Sequence, residues 1–85
     1  MPVFIEVFGP GCFKCEESFK VAEKFLASRG IPGEAVKFKD LAAMTSRGVL
    51  RTPTVMIDGE RIVEGRILRE GDLEAWLARH PEAAR

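Results

Sequence analysis

The two cysteines of this chain, Cys12 and Cys15, are separated by two residues and are the groups best suited to chemistry. They follow a short apolar run and stand where a helical pattern begins. A thiolate is the attacking species, and the unpaired N–H groups and dipole of a helix N-terminus lower the pKa of a thiol. The second thiol, one turn further on, can then attack a mixed disulfide and release the product. The spacing therefore predicts a thiol–disulfide exchange site.

Metal binding and a structural disulfide are the alternatives for this pair. Zinc or an iron–sulfur cluster would need further ligands. The single histidine, His80, lies near the far end of the chain and is expected at the surface, at a helix C-terminus. A disulfide between residues so close together closes a very small loop and removes little unfolded-state entropy. We therefore favour a redox pair that needs no metal and no dissociable cofactor.

The composition limits the other classes of function. The chain has 85 residues, and its 13 Lys and Arg balance its 13 Asp and Glu. A single domain over residues 1–85 is expected at this length. Zero net charge argues against non-specific binding to nucleic acid or a membrane surface, and no apolar segment is long enough to span a membrane. No secretory signal is visible, so we expect a cytoplasmic protein, whose thiols are normally kept reduced.

The rest of the chain predicts the elements that position the cysteines. Hydrophobic periodicity and the glycines and prolines indicate the order β-α-β-α-β-β-α. The strands are predicted at Val3–Phe8, Ala35–Lys39, Thr54–Ile57 and Glu60–Glu64, and the helices at Cys12–Arg29, Leu41–Arg47 and Glu70–Arg79. The tail from Pro81 to Arg85 is expected to be frayed.

The predicted topology is an α/β fold with a four-stranded mixed sheet. A right-handed crossover makes the first two strands parallel neighbours. The dipeptide Asp58-Gly59 suits a type I′ turn, which makes the last two strands an antiparallel hairpin. The first strand is the most apolar, so it is expected between the second and the third, with helices on both faces.

Three segments of the chain carry a resemblance to a known family. They are Val7-Phe8-Gly9-Pro10-Gly11-Cys12-Phe13-Lys14-Cys15, Arg51-Thr52-Pro53-Thr54-Val55-Met56-Ile57-Asp58-Gly59, and Gly65 before the last helix. The combination of these features is specific: Cys-x-x-Cys is followed about forty residues later by Thr-Pro-Thr, and then by an apolar strand, a tight turn and Gly. Over nearly its whole length the chain resembles the thioredoxin-like superfamily. It is closest to the small glutaredoxin-sized thioredoxins of archaea and bacteria, often labelled redox-active disulfide proteins.

The resemblance implies a role for each matching residue. Cys12 would be the exposed nucleophile and Cys15 the shielded resolving thiol. Pro53 would follow a cis bond and pack against the pair, with the backbone of Thr52 facing the substrate. Gly65 would let the substrate backbone approach on the far side of the groove. The implied partners are disulfide-containing client proteins and an unidentified thiol reductant or reductase, and we expect a monomer.

The chain departs from the family between and before the cysteines. Phe13-Lys14 stands where thioredoxins typically carry Gly-Pro and glutaredoxins Pro-Tyr, so neither redox potential can be carried over. Phe13 offers an apolar surface to a partner, and Lys14 places a positive charge near Cys12. Gly11 occupies the position of the tryptophan that usually precedes the thioredoxin cysteines.

Glu6 is the only charge in the first strand and has two interpretations. It lies six residues before Cys12, where thioredoxins resemble one another in carrying a buried acid that takes the proton of the resolving thiol. Glu6 would then be a general base for Cys15. The alternative is a partly exposed strand residue that pairs with Lys37 or Lys39 on the neighbouring strand.

The function expected from the sequence is reduction, or exchange, of protein disulfides. Two alternatives remain open: a glutathione-dependent glutaredoxin, and a metal or iron–sulfur module that uses the two thiolates. The double glycine and paired acids of a glutathione groove are not found, because Gly65 is single and Asp72 stands alone. Arg51 and Arg66 are the side chains that could still meet a glutathione carboxylate.

Overall fold

Four strands and three α-helices follow one another in the predicted order in the computed structural model, which describes residues 2–84. The strands are β1 (Val3–Phe8), β2 (Gly33–Phe38), β3 (Thr54–Ile57) and β4 (Glu60–Glu64). The helices are α1 (Phe13–Arg29), α2 (Leu41–Ser46) and α3 (Glu70–Arg79). Helix α1 begins one residue later than predicted because Cys12 is its N-cap, and α2 ends one residue earlier because Arg47 is its C-cap.

The strands form one sheet in the order β2-β1-β3-β4, which confirms the predicted topology. Strand β1 runs parallel to β2 and antiparallel to β3, and β3 pairs antiparallel with β4. Phe8 at the end of β1 lies beside Phe38 at the end of β2 and Thr54 at the start of β3. The segments that leave or enter the sheet at Phe8, Phe38 and Thr54 therefore share one edge, which we call the cysteine edge.

Apolar side chains cover both faces of the sheet. Alternate residues of β1 point to opposite faces. Ile5 and Val7 belong to a large cluster with buried residues of α1 and α3, whereas Phe8 belongs to a small cluster with Met44 of α2 and Met56 of β3. Helices α1 and α3 therefore cover one face, and α2 covers the other, as predicted.

Local backbone conformations end the elements where the sequence predicts. Gly30 ends α1 with a φ of 62°, the left-handed conformation that glycine adopts without steric cost. Asp58 and Gly59 have φ values of 49° and 86°, as a type I′ turn requires. The Asp58 carboxylate also accepts a hydrogen bond of 2.9 Å from the backbone N–H of Phe4. The β3–β4 hairpin is thereby fixed to the start of β1.

The end of the chain differs from the prediction. Pro81–Ala84 form a 3-10 turn instead of a frayed tail. Ala83 is buried in the large cluster, and its N–H donates to the carbonyl of His80 at 3.0 Å. Burial of this small apolar side chain orders the turn, and the sequence gives no reason to expect that burial. Arg85, the last residue of the predicted tail, lies outside the described residues.

Among residues 2–84, no helix has the length and apolar character needed to cross a membrane.

Candidate redox site

The two cysteine thiols lie together at the N-terminus of α1. Cys12 is the N-cap residue and is exposed, whereas Cys15 in the first turn is buried. Both are free thiols, and their sulfur atoms are 2.9 Å apart, within hydrogen-bonding distance. The structure thus places an accessible thiol outside and a shielded thiol behind it, as expected from the sequence.

The surroundings shift the two thiol pKa values in opposite directions. The pKa of Cys12 is lowered, mainly by the hydrogen bond with the Cys15 thiol and next by the backbone N–H of Cys15. The pKa of Cys15 is raised, mainly because burial disfavours its thiolate and next because its proton is shared with Cys12. The surroundings therefore favour ionisation of the outer thiol over ionisation of the inner thiol.

Gly9 makes room for the inner sulfur. A Cβ atom at this position would lie 2.1 Å from the Sγ of Cys15, far inside van der Waals contact. The N–H of Gly9 donates to the carbonyl of Phe38 at 3.0 Å and fixes the loop to the end of β2. The sequence indicates that Gly9 and Gly11 open the loop, but not that Gly9 packs on the resolving sulfur, because that contact depends on how α1 sits against β1.

The loop before β3 brings Thr52 close to Gly9, beside the inner cysteine. The Thr52–Pro53 bond is cis, and Pro53 is buried. The Cβ of Thr52 lies 3.7 Å from the position that a Cβ at Gly9 would take. The N–H of Gly65 donates to the Pro53 carbonyl at 2.8 Å, so the segment after β4 is joined to the same loop. Thr52, Pro53 and Gly65 therefore lie close to one another, and their contact with a substrate stays a prediction.

Phe13 and Lys14, the dipeptide between the cysteines, both face outward. Phe13 is 73% exposed, which is unusual for so large an apolar side chain, and Lys14 is exposed beside it. Both are available to a partner that approaches Cys12. Their roles in substrate binding remain predictions.

Glu6 is buried and pairs with Arg47, the C-cap residue of α2. Only 3% of Glu6 is exposed, and each carboxylate oxygen accepts a hydrogen bond of 2.6 Å from the Arg47 guanidinium. The prediction of a partly exposed residue paired with Lys37 or Lys39 is therefore wrong. The prediction fails because side chains alternate along a strand. Lys37 is the partner of Val7 in the sheet and therefore lies on the α1 side, opposite to Glu6. There the Nζ of Lys37 lies 3.1 Å from the Oε1 of Glu16.

The general-base role of Glu6 toward Cys15 stays a prediction. Glu6 lies on the face of the sheet that α2 covers, with Phe8 and Met56 nearby. Cys15 belongs to α1, which packs with Ile5 and Val7 on the opposite face. Within residues 2–84, the hydrogen bonds to the carboxylate come from Arg47. Among the described residues, the geometry thus gives Glu6 a structural partner in Arg47 and no hydrogen bond with the thiol.

Ser18 is a buried polar residue that the sequence analysis missed. Its hydroxyl donates to the carbonyl of Lys14 at 2.8 Å and accepts from the N–H of Leu68 at 2.9 Å. It therefore joins the first turn of α1 to the segment that follows Gly65. The signal was present in the sequence, because Ser18 lies one turn after Cys15 on the apolar face of the helix.

Asp72 is paired with Arg66 at the start of α3. Its carboxylate accepts two hydrogen bonds from Arg66, of 2.9 and 2.7 Å, and one of 2.9 Å from the N–H of Arg69. The hydrogen bonds from Arg66 are the main cause that lowers the pKa of Asp72. Arg66 is therefore engaged at the start of α3, which weakens the case for a glutathione carboxylate at this residue.

The described part of the chain contains no group of three His, Cys, Asp or Glu side chains arranged to hold a metal ion. His80 stacks on Trp76 and lies 3.4 Å from Glu60, at the C-terminus of α3. A metal bound by the two cysteines would need ligands from elsewhere.

Residues 3–78 match the protein family described as Thioredoxin domain. The chain is 27% identical over 74 residues to a thioredoxin of Methanothermobacter thermautotrophicus, a match that covers 87% of this chain and 96% of that protein. It is 35% identical over 65 residues to a thioredoxin of Methanocaldococcus jannaschii, covering 76% of this chain and 74% of that protein.

Two solved structures have a similar fold. A malarial protein superposes with a TM-score of 0.71 at 17% identity, over 94% of this chain and 98% of its own. A Staphylococcus aureus protein of unknown function superposes with a TM-score of 0.69 at 12% identity, over 93% and 91%. At these identities the likeness concerns the fold alone.

Proposed function

Because the chain belongs to the thioredoxin-domain family, we propose that it is a small thiol–disulfide oxidoreductase that reduces protein disulfides through Cys12 and Cys15. One observation carries the proposal: two free thiols lie 2.9 Å apart, the outer one with a lowered pKa and the inner one with a raised pKa. An accessible thiolate attacks readily, and a protonated neighbour stays available for the second step.

The reaction consists of two exchanges at sulfur. The Cys12 thiolate attacks one sulfur of the client disulfide, forms a mixed disulfide and displaces the other client sulfur as a thiolate. Cys15 then loses its proton and attacks Cys12, which forms the Cys12–Cys15 disulfide and releases the second client thiolate. The client gains two electrons and two protons, and the protein loses the same. A thiol or dithiol reductant must return the pair to its reduced form.

The partners of this reaction are disulfide-containing client proteins, and the chemistry requires no dissociable cofactor. Reduction of client disulfides suits a compartment that keeps thiols reduced, so the cytoplasm is the proposed location. A monomer is sufficient, because both thiols and the Pro53 loop come from one chain.

Trapping of the mixed disulfide tests the proposal. Reduced wild-type protein should reduce the disulfides of insulin in stoichiometric amounts. Cys15→Ser should accumulate a covalent adduct between Cys12 and an insulin chain, visible by mass spectrometry, because the second thiol is missing. Cys12→Ser is the matched control and should form little adduct, because Cys15 is buried. Failure of the wild-type protein to reduce insulin, or equal adduct formation by both variants, would contradict the proposal.

A further inference from the structure

Three basic side chains belong to three different segments at the cysteine edge. Lys14 lies between the cysteines in α1. Lys39 follows β2, and its Nζ lies 3.4 Å from the position that a Cβ at Gly11 would take. Arg51 lies two residues before Pro53, and its Cδ lies 3.3 Å from the position that a Cβ at Gly65 would take. All three side chains are exposed.

These cations are poorly neutralised by the protein itself. Within residues 2–84, neither Lys14 nor Arg51 forms an ion pair. Lys39 lies 3.9 Å from Glu16, whose closer partner is Lys37 at 3.1 Å. Asp40, the acid next to Lys39, is the N-cap of α2 and accepts from the N–H of Ala42. Lys14 and Arg51 are therefore cations without an acidic partner within residues 2–84, whereas Lys39 shares Glu16 with Lys37.

Apolar surface is concentrated at the same edge. The large apolar side chains that are exposed in the described residues are Phe13 at 73%, Leu41 at 74% and Leu50 at 86%. Phe13 follows β1, Leu41 follows β2, and Leu50 precedes β3. Each therefore belongs to a segment that meets the sheet at the cysteine edge. A single exposed leucine needs no explanation. Three such side chains at the end that carries Cys12 indicate a contact surface.

We propose that this surface selects client disulfides in acidic segments of proteins: a carboxylate close to the client cysteine binds Lys14, Lys39 or Arg51, and a neighbouring apolar side chain contacts Phe13 or Leu50. The inference rests on the proposed function and names its substrate class. Charge complementarity is the argument for this occupant, because unneutralised cations attract a carboxylate and repel a basic segment. Such attraction acts mainly on the rate of encounter and is screened by salt.

Two matched disulfide peptides test the inference. They share one sequence with a leucine near the cysteine, and the flanking residues are Glu in one peptide and Lys in the other. Chemically reduced protein is mixed with excess peptide, and the second-order rate constant of peptide reduction is followed by stopped flow. We expect the acidic peptide to react roughly tenfold faster at low salt, as electrostatic steering allows. The ratio should approach one at about 1 M salt, where the Debye length is about 3 Å.

Variants locate the effect on the surface. Arg51→Gln and Lys14→Gln should each lower the ratio of the acidic to the basic rate constant several-fold. The ratio is the readout because any change in the reactivity of Cys12 itself affects both peptides equally. Lys24→Gln is the matched control: it removes the same charge from an exposed position in the C-terminal half of α1 and should leave the ratio unchanged. Equal ratios in wild type, Arg51→Gln and Lys14→Gln would overturn the inference.

The outcomes separate this inference from the function on which it rests. If both peptides are reduced at equal rates at low salt, the charge selection is wrong and the oxidoreductase function stands. If neither peptide is reduced, the proposed function fails and this inference fails with it. Oxidised glutathione carries carboxylates without the apolar side chain and should react more slowly than the acidic peptide. A faster reaction of oxidised glutathione would overturn the assignment to protein segments.

Discussion

At the scale of single residues, the chemistry depends on a difference between two identical side chains. Cys12 and Cys15 are one helical turn apart, yet one is exposed and the other buried. The hydrogen bond between them favours the thiolate of Cys12, and burial disfavours that of Cys15. The family resemblance implied this difference in burial, and the structure shows it; the roles of nucleophile and resolving thiol stay predictions.

The opposite pKa shifts predict different pH profiles of alkylation. Because the pKa of Cys12 is lowered, its reaction with iodoacetamide should rise through a midpoint at lower pH than in the urea-unfolded protein. For Cys15 the pKa is raised, so its midpoint, measured in Cys12→Ser, should lie at higher pH than in the unfolded chain. Mass spectrometry of quenched samples measures both rates. Coincident midpoints for the two thiols would show that the environments do not differ in this way.

Gly9 gives a second prediction at this scale. Gly9→Ala would place a methyl group 2.1 Å from the Cys15 sulfur, so α1 or the loop must shift. We expect a loss of about 1–3 kcal/mol in the free energy of unfolding, as for other overpacked sites. Gly71→Ala is the control, since a Cβ there meets nothing within 4 Å and Ala favours a helix by about 1 kcal/mol over Gly. Urea unfolding of the reduced proteins should show a lower free energy of unfolding for Gly9→Ala and a higher one for Gly71→Ala. A change in the same direction for both variants would refute the packing argument.

At the scale of elements, the sequence predicted every strand and helix but not all the contacts between them. Strands β3 and β4 follow from apolar runs around a dipeptide with a strong turn preference, and that information is local. The pairing of Glu6 with Arg47 joins residues 41 positions apart, and it depends on the placement of α2 over the sheet. Likewise, Pro81–Ala84 form a regular turn because Ala83 is buried, and no local sequence pattern predicts this burial.

The Glu6–Arg47 pair predicts the effect of Glu6→Gln. Loss of the buried carboxylate removes two charge-assisted hydrogen bonds and should lower the free energy of unfolding by about 1–3 kcal/mol. The same change at Glu74, which pairs with Arg29 at the surface, should cost less than about 1 kcal/mol. Urea unfolding measures both.

The same variant decides the role of Glu6 in catalysis. A general base for Cys15 would make release of the mixed disulfide slow near neutral pH and restore it at higher pH, where Cys15 ionises unaided. Because the carboxylate is bound by Arg47 on the face opposite α1, we expect a release rate in Glu6→Gln equal to that of wild type at every pH. Stopped-flow measurement across pH distinguishes the two results.

At the scale of the whole molecule, the packed core and the surface proposed to contact clients lie apart. Leu73 of α3 is fully buried in the large cluster, whereas Leu50 at the cysteine edge is 86% exposed. Leu73→Ala should cost about 2–5 kcal/mol of unfolding free energy, because it leaves a cavity in a packed core. Leu50→Ala, the same chemical change, should stay within about 0.5 kcal/mol. Fluorescence of the single tryptophan, Trp76, reports unfolding; similar losses in the two variants would contradict this separation.

The 2.9 Å separation of the two sulfur atoms has a consequence for damage by peroxide. Hydrogen peroxide oxidises an accessible thiolate to a sulfenic acid, and a second equivalent produces the irreversible sulfinic acid. A sulfenic acid on Cys12 would form beside the Cys15 thiol, which can condense with it, release water and give a disulfide that a reductant reverses. We therefore expect peroxide to convert the pair mainly into the reversible disulfide, with little sulfinic acid on Cys12.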